Sequence, residues 1–405
     1  MHALTRLLPH PGDRMGCLWN LLALKDSYVI EYGPAGTTHF GIGPMGALDL
    51  EPRGRYFVTH MDESDVVMGD SSRLERAVIE IDRDHSAEHI FIVGSSIAAT
   101  IGTDLEGIVF YLQDQVDAKL HIFDSGGFKG DLYRGMKDVY ETLAKILEDE
   151  EFDSAELAEV KAKKARPNYN LLGASPDHYR LTSDVNEISR ILTEALDVEI
   201  ATTYVVDGCI ADFKKAATAD FSLVLRDEAL PLAEALEKLY AVPYFLVDFY
   251  GYEGTKSIVE AISALLQREI AEDFSQDLTK RQKELALFQM SRRRLGKNLH
   301  LFSVGNRELN RGLNLAFGEL GLEFEEQIEY AADEQEKLRA VEAWQHGLIF
   351  ADSEILRLAA SNNAKVLTSF PWLQHMPVAT HLPIMGVRGM DWLYEKLLDY
   401  LQNLD

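Results

Sequence analysis

The chain carries two thiols, Cys17 and Cys209, in 405 residues. Two thiols cannot frame a disulfide scaffold, and one chain with two of them cannot supply the four thiolates of an iron–sulfur cluster. Cys209 stands between a strand-like run and a helical one, where a half-buried thiol serves as packing. Cys17 follows Gly16 ahead of an aromatic and apolar run that gives little packing reason for a cysteine, so it is the candidate functional thiolate. The histidines are scattered, and even the C-terminal pair His375 and His381 lacks ligand spacing. No G-x-S-x-G elbow or other local nucleophile signature occurs.

Three further constellations are weighed against plainer readings. Gly41-Ile-Gly43-Pro-Met-Gly46 spells G-x-G-x-x-G, with Glu63 about 20 residues on, as in dinucleotide folds. The preceding strand signal ends near Tyr32 and Pro44 interrupts the turn, so a Gly/Pro-rich surface loop is the reading. Gly251-Tyr-Glu-Gly254-Thr-Lys256 lacks the P-loop spacer, which leaves a helix N-terminus open to an anion or a plain strand-to-helix turn. His60, Asp62 and Glu63 are hard-metal donors without a second histidine at helical spacing, while Ser72 and Glu75 predict a capping box, with Asp70 at the positive dipole end.

The elements that must position these groups follow from periodicity. Strand signals fall at Tyr28–Tyr32, His89–Val93 and Leu120–Phe123, then Tyr169–Leu172, Glu199–Val205, Phe221–Leu225 and Pro243–Phe249, then Leu299–Val304, Gly347–Phe350 and Lys365–Thr368. Helical periods such as Ser72–Arg83, Leu132–Leu147, Ser183–Leu196 and Leu232–Leu239 lie between them. Apolar strands alternating with helices imply βαβ units and parallel sheets, hence an α/β chain of several doubly wound, Rossmann-like domains. Boundaries follow composition. Glu148–Arg166 turns from acidic to basic before Pro167 and reads as a solvated helix and linker. The long helical stretch Ile258–Leu295 is expected to span the second and third domains. The expected units are 1–166, 167–270 and 271–405, the last ending in an amphipathic helix at Met390–Leu404.

Composition narrows the function classes. Apolar residues make up 46% and charged residues 26%, ordinary globular values that exclude a disordered or collagen-like chain. Lys and Arg total 40 against 66 Asp and Glu, a formal charge of −26. Such a surface repels phosphate backbones, so no nucleic-acid partner is expected, and basic protein faces suit it better. Pro9, Pro11 and Gly12 break the N-terminus before a signal-like apolar core develops. No run of about 18 apolar residues occurs, so no membrane partner is expected. The cytoplasm, where thiols stay reduced, is the expected compartment.

Several stretches taken together resemble the nitrogenase component 1 family. That family spans dinitrogenase subunits, cofactor-assembly homologues, dark protochlorophyllide and chlorin reductases, and the nickel-sirohydrochlorin cyclase. Gly16-Cys17 followed by Tyr32-Gly33-Pro34-Ala35-Gly36 is similar to its cluster cysteine and H-G-P-x-G-C segment. Thr59, Glu63, Asp65-Val66-Val67 and Gly69 resemble T-x-x-x-E-x-D-x-V-x-G-G. Ile92 through Ser95-Ser96 to Ile101-Gly102-Thr103-Asp104 resembles V-x-S-T-C-x-x-x-x-I-G-D-D. Ser125-Gly-Gly127-Phe128-Lys129-Gly130 resembles T-P-G-F-x-G, and Pro383-Ile-Met385-Gly386-Val-Arg388-Gly389 resembles P-x-x-G-Y-R-G. Order and spacing hold across nearly the whole chain.

The resemblance implies three Rossmann-like domains and an interface at the N-terminal one. It also implies an oxidoreductase subunit that accepts electrons from an ATP-dependent iron–sulfur reductase and passes them through an interfacial cluster to a substrate or metallocofactor between the domains. The departures bear on that. Of three cluster cysteines only Cys17 remains; the second position reads Thr37, beside Thr38, and the third reads Ser96. The molybdenum cofactor's cysteine and histidine positions read Leu225-Arg226 and Met385, so dinitrogen reduction on that cofactor is not expected.

Any 4Fe–4S or 2Fe–2S cluster must then be shared between chains, in a homodimer or in a heterodimer with a paralogous component 1 subunit. Cys17 is its metal ligand by resemblance, and Gly33, Gly36, Thr37 and Ser96 are the cofactor-binding set. The alternative is that Cys17 is a relic and no cluster binds. His39, Lys129 and Arg388 are the candidate catalytic residues, with His381 behind them; Lys129 and Arg388 would hold anionic groups such as tetrapyrrole propionates, or are ordinary loop ion pairs. The rival reading is a non-catalytic scaffold or carrier for a tetrapyrrole or metal-cluster cofactor.

Overall fold

The computed structural model describes residues 6–7, 10–37, 54–178, 180–204, 208–295, 299–368 and 382–402. Among these described residues, twelve strands form three four-stranded sheets. The first contains β1 (Tyr28–Tyr32), β2 (Tyr56–Val58), β3 (His89–Gly94) and β4 (Lys119–Phe123). The second contains β5 (Asn168–Leu172), β6 (Glu199–Thr203), β7 (Phe221–Val224) and β8 (Tyr244–Leu246). The third contains β9 (Leu301–Gly305), β10 (Glu326–Glu329), β11 (Leu348–Ala351) and β12 (Ala364–Leu367).

In each sheet the spatial order is second, first, third, fourth, and every described pairing is parallel. The three expected Rossmann-like units are therefore present. Central strands are apolar runs buried on both faces, as β3 is from His89 to Gly94. β2 and β10 had no sequence signal. Both are edge strands, β2 only three residues long and half-buried, β10 with Ile328 as its buried residue. An edge strand needs little apolar surface, so its sequence reads as loop.

Two helical regions bear on how the units meet. The stretch Ile258–Leu295 is not one helix: Gly251–Leu266 and Glu272–Leu295 are separated at Gln267, which takes the left-handed conformation (φ 51°). The C-terminal helix, Gly386–Gln402, packs along helix Leu181–Leu196 of the second unit. Met390, Leu393 and Leu397 share a buried cluster with Ile188, Ile191 and Leu192 of helix Leu181–Leu196. Gly386 (φ 72°) donates its N–H to Phe249 O at 2.6 Å, and a Cβ there would meet Glu187 and Ile191 at 2.7 Å. The far end reaches the third domain, where Tyr400 OH donates to His346 O at 2.9 Å.

The expected capping box is not formed among the described residues, since the N-cap side chain bonds no backbone amide. Ser71 is the N-cap and its hydroxyl bonds Glu75, while Asp70 accepts from Ser72 N. The linker helix Ser154–Ala162 buries no residue, as its composition implied. Among the described residues no helix is long and apolar enough to cross a membrane.

Candidate functional site

Strands of the second and third sheets point their carboxyl ends at a common cleft, the place where open parallel sheets hold ligands. It is narrow, with about 30 Å³ open to the centres of water-sized molecules, and it opens to solvent. The turn after β5 supplies Asp177 and His178, that after β7 Leu225 and Arg226, and that after β8 Tyr250. The third sheet adds Asn306 and Glu308 after β9 and Thr368 after β12, and Met385 closes the wall ahead of the C-terminal helix.

The floor is an ion pair. Arg226 is 3% exposed, and its Nη1 lies 2.8 and 3.0 Å from the two Asp177 oxygens. Asn306 Nδ2 donates to Asp177 Oδ2 at 2.9 Å. Burial opposes the guanidinium charge, but Asp177 and then Glu308 outweigh it and drive the Arg226 pKa further up. Buried Glu308 accepts from Tyr133 OH at 3.3 Å, and that hydroxyl accepts from Arg307 N at 3.1 Å. Burial and then Glu308 push the Tyr133 hydroxyl upward, so it remains a donor.

One wall carries the His178 imidazole beside a buried carboxylate whose near oxygen accepts no hydrogen bond. His178 Nε2 lies 2.7 Å from Asp184 Oδ2, and Asp184 is buried. The other Asp184 oxygen accepts from Ile384 N at 2.7 Å and Met385 N at 2.9 Å. Thr368 Oγ1 is buried without a hydrogen-bond partner on the same cleft. This arrangement can orient a polar ligand against Arg226, Asn306 and Thr368. No thiolate lines it, so it does not suit an iron–sulfur cluster, which takes thiolates.

Leu225, Arg226 and Met385, the positions where the resemblance places metal ligands, all line this cleft. The expected cofactor-binding residues gather elsewhere, at the carboxyl edge of the first sheet. Gly33 follows β1, donates to Thr59 Oγ1 at 3.1 Å, and has no room for a side chain: a Cβ would sit 2.3 Å from Ser95 Oγ. Thr37 Oγ1 donates to Pro34 O at 2.8 Å, Gly36 is exposed, and half-buried Ser96 opens the helix after β3. Lys129 and Arg388 are exposed and paired, Lys129 Nζ with Asp124 at 2.7 Å and Arg388 Nε 3.7 Å from Glu187. Neither lines the cleft. His39, His381, Thr38 and the Gly41–Gly46 run lie outside the described residues.

Cys17 lies in helix Asp13–Ala23, fully buried against helix Leu132–Asp149, and its Sγ donates to Gly135 O at 3.4 Å. Burial, then Asp138 and Asp13, push the thiol well above its usual pKa. As placed, the Cys17 thiol faces a helix crossing. The Gly-Cys pair marks that crossing as tight: a Cβ on Gly16 would lie 2.2 Å from Leu132 O.

The helix N-terminus at Gly251 is likewise taken. Glu319 accepts from Tyr252 N and Glu253 N, both at 2.8 Å, so the chain's own carboxylate occupies the anion position. Asp62 caps the short helix Glu63–Met68 and pairs with Arg73, which is structural work. Sequence reasoning missed Asp177, His178, Asp184, Asn306 and Glu308. Each of Asp177, His178 and Asn306 lies just past a strand end, the one signal that was available.

A family model described as nitrogenase component 1 type oxidoreductase matches residues 13–326. The nitrogenase iron-molybdenum cofactor biosynthesis protein NifE of Clostridium pasteurianum is 24% identical over 249 residues, 61% of this chain and 51% of that protein. The nitrogenase molybdenum-iron protein alpha chain of Methanothermobacter marburgensis is 27% identical over 321 residues, 74% and 64% of the two chains. NifE of Nostoc sp. is 21% identical over 388 residues, 92% and 76%. The match thus spans 51% and 64% of the first two relatives' own length. The solved structure "Nitrogenase Cp1 at pH 6.5" superposes with a TM-score of 0.74 at 16% identity, covering 100% of this chain and 94% of that one, and so shares the fold.

Proposed function

The chain belongs to the nitrogenase component 1 type oxidoreductases, and on that premise we propose that it is a subunit that holds an electron-accepting substrate in its inter-domain cleft while other chains supply the electrons. The observation that carries this reading is the cleft itself, with its paired polar floor, an imidazole beside a buried carboxylate, and no thiolate. An ATP-dependent iron–sulfur reductase would deliver the electrons. A paralogous component 1 subunit would furnish the thiolates of any bridging cluster, because Cys17 is packed away from the surface. No electron-transfer step is assigned to this chain's own cysteines. Its part is to bind the acceptor and exclude water.

A second reading, a scaffold or carrier that passes on a tetrapyrrole or metallocofactor as cargo, draws support from Leu225. An aliphatic side chain at that cleft position forms no bond to a metal, which suits reversible holding. Anaerobic purification and a coupled assay separate the readings. The isolated chain is expected to be colourless and free of iron, and reductase ATP hydrolysis linked to substrate reduction is expected to require this chain together with its paralogue. An iron–sulfur absorption band on the isolated chain that disappears in Cys17→Ala would sink the proposal. Binding of cargo with no dependence of ATP turnover on this chain would favour the carrier.

A further inference from the structure

At the amino edge of the first sheet, opposite Gly33 and Ser96, a second group of donors converges. His89 opens β3, Glu88 precedes it, and Glu150 follows the last turn of helix Leu132–Asp149. Each brings one ligating atom to within 4.8 Å of the other two. His89 is 3% exposed, Glu150 is half-buried and Glu88 is exposed, so the group opens outward from an inner imidazole.

A neighbouring histidine fixes that imidazole. The register sets Phe91 of β3 opposite His121 of β4, and those two rings stack with centroids 5.0 Å apart. His121 Nε2 lies 3.0 Å from His89 Nδ1. Nδ1 of His89 is therefore engaged, which leaves Nε2 for a ligand. Metal-binding imidazoles are commonly oriented in this way, by a hydrogen bond at the other ring nitrogen.

The surroundings favour a cation. The helix ends in Glu148-Asp149, with Glu150-Glu151 just past it, at the negative end of its macrodipole. Lys119 answers part of that charge, its Nζ 3.4 Å from Glu150 Oε1, but its side chain is half exposed on a flexible stem. A loose ammonium pair of this kind is weak and yields to a divalent ion that forms bonds.

We infer that His89, Glu88 and Glu150 bind a divalent metal ion of the Zn²⁺ class, with His121 as a positioning residue. One imidazole and two carboxylates suit such an ion, and water would complete its coordination. The ion would tie the start of β3 to the end of helix Leu132–Asp149, just ahead of the linker helix Ser154–Ala162. The site lies apart from the inter-domain cleft and does not depend on the function proposed for it.

Calorimetric titration of the full chain with Zn²⁺, and with Co²⁺ to read its visible ligand-field bands, tests the inference. One equivalent is expected to bind, and Zn²⁺ should raise the unfolding temperature. Affinity should fall at least tenfold in His89→Gln and Glu150→Gln, and by about 10–100-fold in His121→Phe, which keeps the ring stack but removes the orienting nitrogen. Lys119→Ala should bind more tightly, because a competing cation is gone. Glu88→Gln is exposed and leaves packing untouched, so its loss of affinity remains readable should His89→Gln fail to fold. Absence of stoichiometric binding overturns the site. So does binding that Glu88→Gln and Glu150→Gln leave unchanged.

Discussion

The Cys17 thiol donates to the backbone carbonyl of Gly135, 3.4 Å away and 118 residues along the chain. That bond sits where helix Asp13–Ala23 crosses helix Leu132–Asp149 with almost no space between them. A Cβ on Gly135 would fall 1.8 Å from Asp13 O, and one on Gly16 would fall 2.2 Å from Leu132 O. Cysteine here fills a gap between two backbones brought together by glycine, and the crossing fixes the first domain's terminal helix to its sheet.

The crossing predicts an order of mutational cost. Cys17→Ala removes one small buried group and should cost about 1 kcal/mol. Gly135→Ala forces a methyl into a carbonyl and should cost about 3 kcal/mol or more, since neither helix backbone can give way freely. Urea unfolding of the two variants checks the ranking. A thiol reagent should label half-buried Cys209 in the folded chain and leave Cys17 untouched until the protein unfolds.

The same burial sets a pH dependence. The folded Cys17 thiol has its pKa raised, by burial first and then by Asp138 and Asp13, with Arg134 acting against them. An unfolded thiol ionises near 9.0, so above that pH the unfolded chain binds fewer protons than the folded one. Stability from this group is intact below that value and declines as pH rises beyond it. Wild type should therefore lose stability relative to Cys17→Ala between neutral and alkaline pH, with a constant difference between the two at acidic pH. Parallel curves throughout would contradict the burial.

Arg226 and Asp177 predict the behaviour of a buried ion pair. Arg226→Met leaves Asp177 as a buried charge without its counter-ion and should cost about 3–5 kcal/mol. Adding Asp177→Asn removes that charge and should recover most of the loss. A double-mutant cycle by urea unfolding measures the coupling. Near-additive losses would mean that the pair is not the floor of the cleft.

What was legible in the sequence was local. The fully apolar run of β3 identified a central parallel strand, and the repeated strand–helix alternation identified the doubly wound units. The edges β2 and β10 were illegible because half-buried edges need no apolar run. The cleft was illegible for another reason. Asp184 meets the Ile384 amide 200 residues away, and Asp177 meets Asn306 across 129. No short-range pattern encodes such pairings. The Gly16–Cys17 step was not decisive in sequence, because a glycine–cysteine step serves a helix crossing as well as a cluster loop.

Asp184 makes the docking of the C-terminal helix testable. Its Oδ1 holds the amides of Ile384 and Met385, at 2.7 and 2.9 Å, and Glu187 one turn later holds the amide of Arg388 at 3.0 Å. All three amides belong to the start of helix Gly386–Gln402 or the residues just ahead of it. Hydrogen bonds to a charged acceptor contribute about 1.5–3 kcal/mol each, so Asp184→Ala should raise the population of the undocked helix at least about tenfold. Arg388 is exposed in the first turn and is a tryptic site once that turn opens. Limited trypsinolysis followed by mass spectrometry should then show faster release of the fragment beyond Arg388 in Asp184→Ala than in wild type. Lys337→Met, whose ammonium bonds Tyr330 O within the third domain, is the control and should leave the rate unchanged. Acceleration by the control and not by Asp184→Ala would overturn this docking.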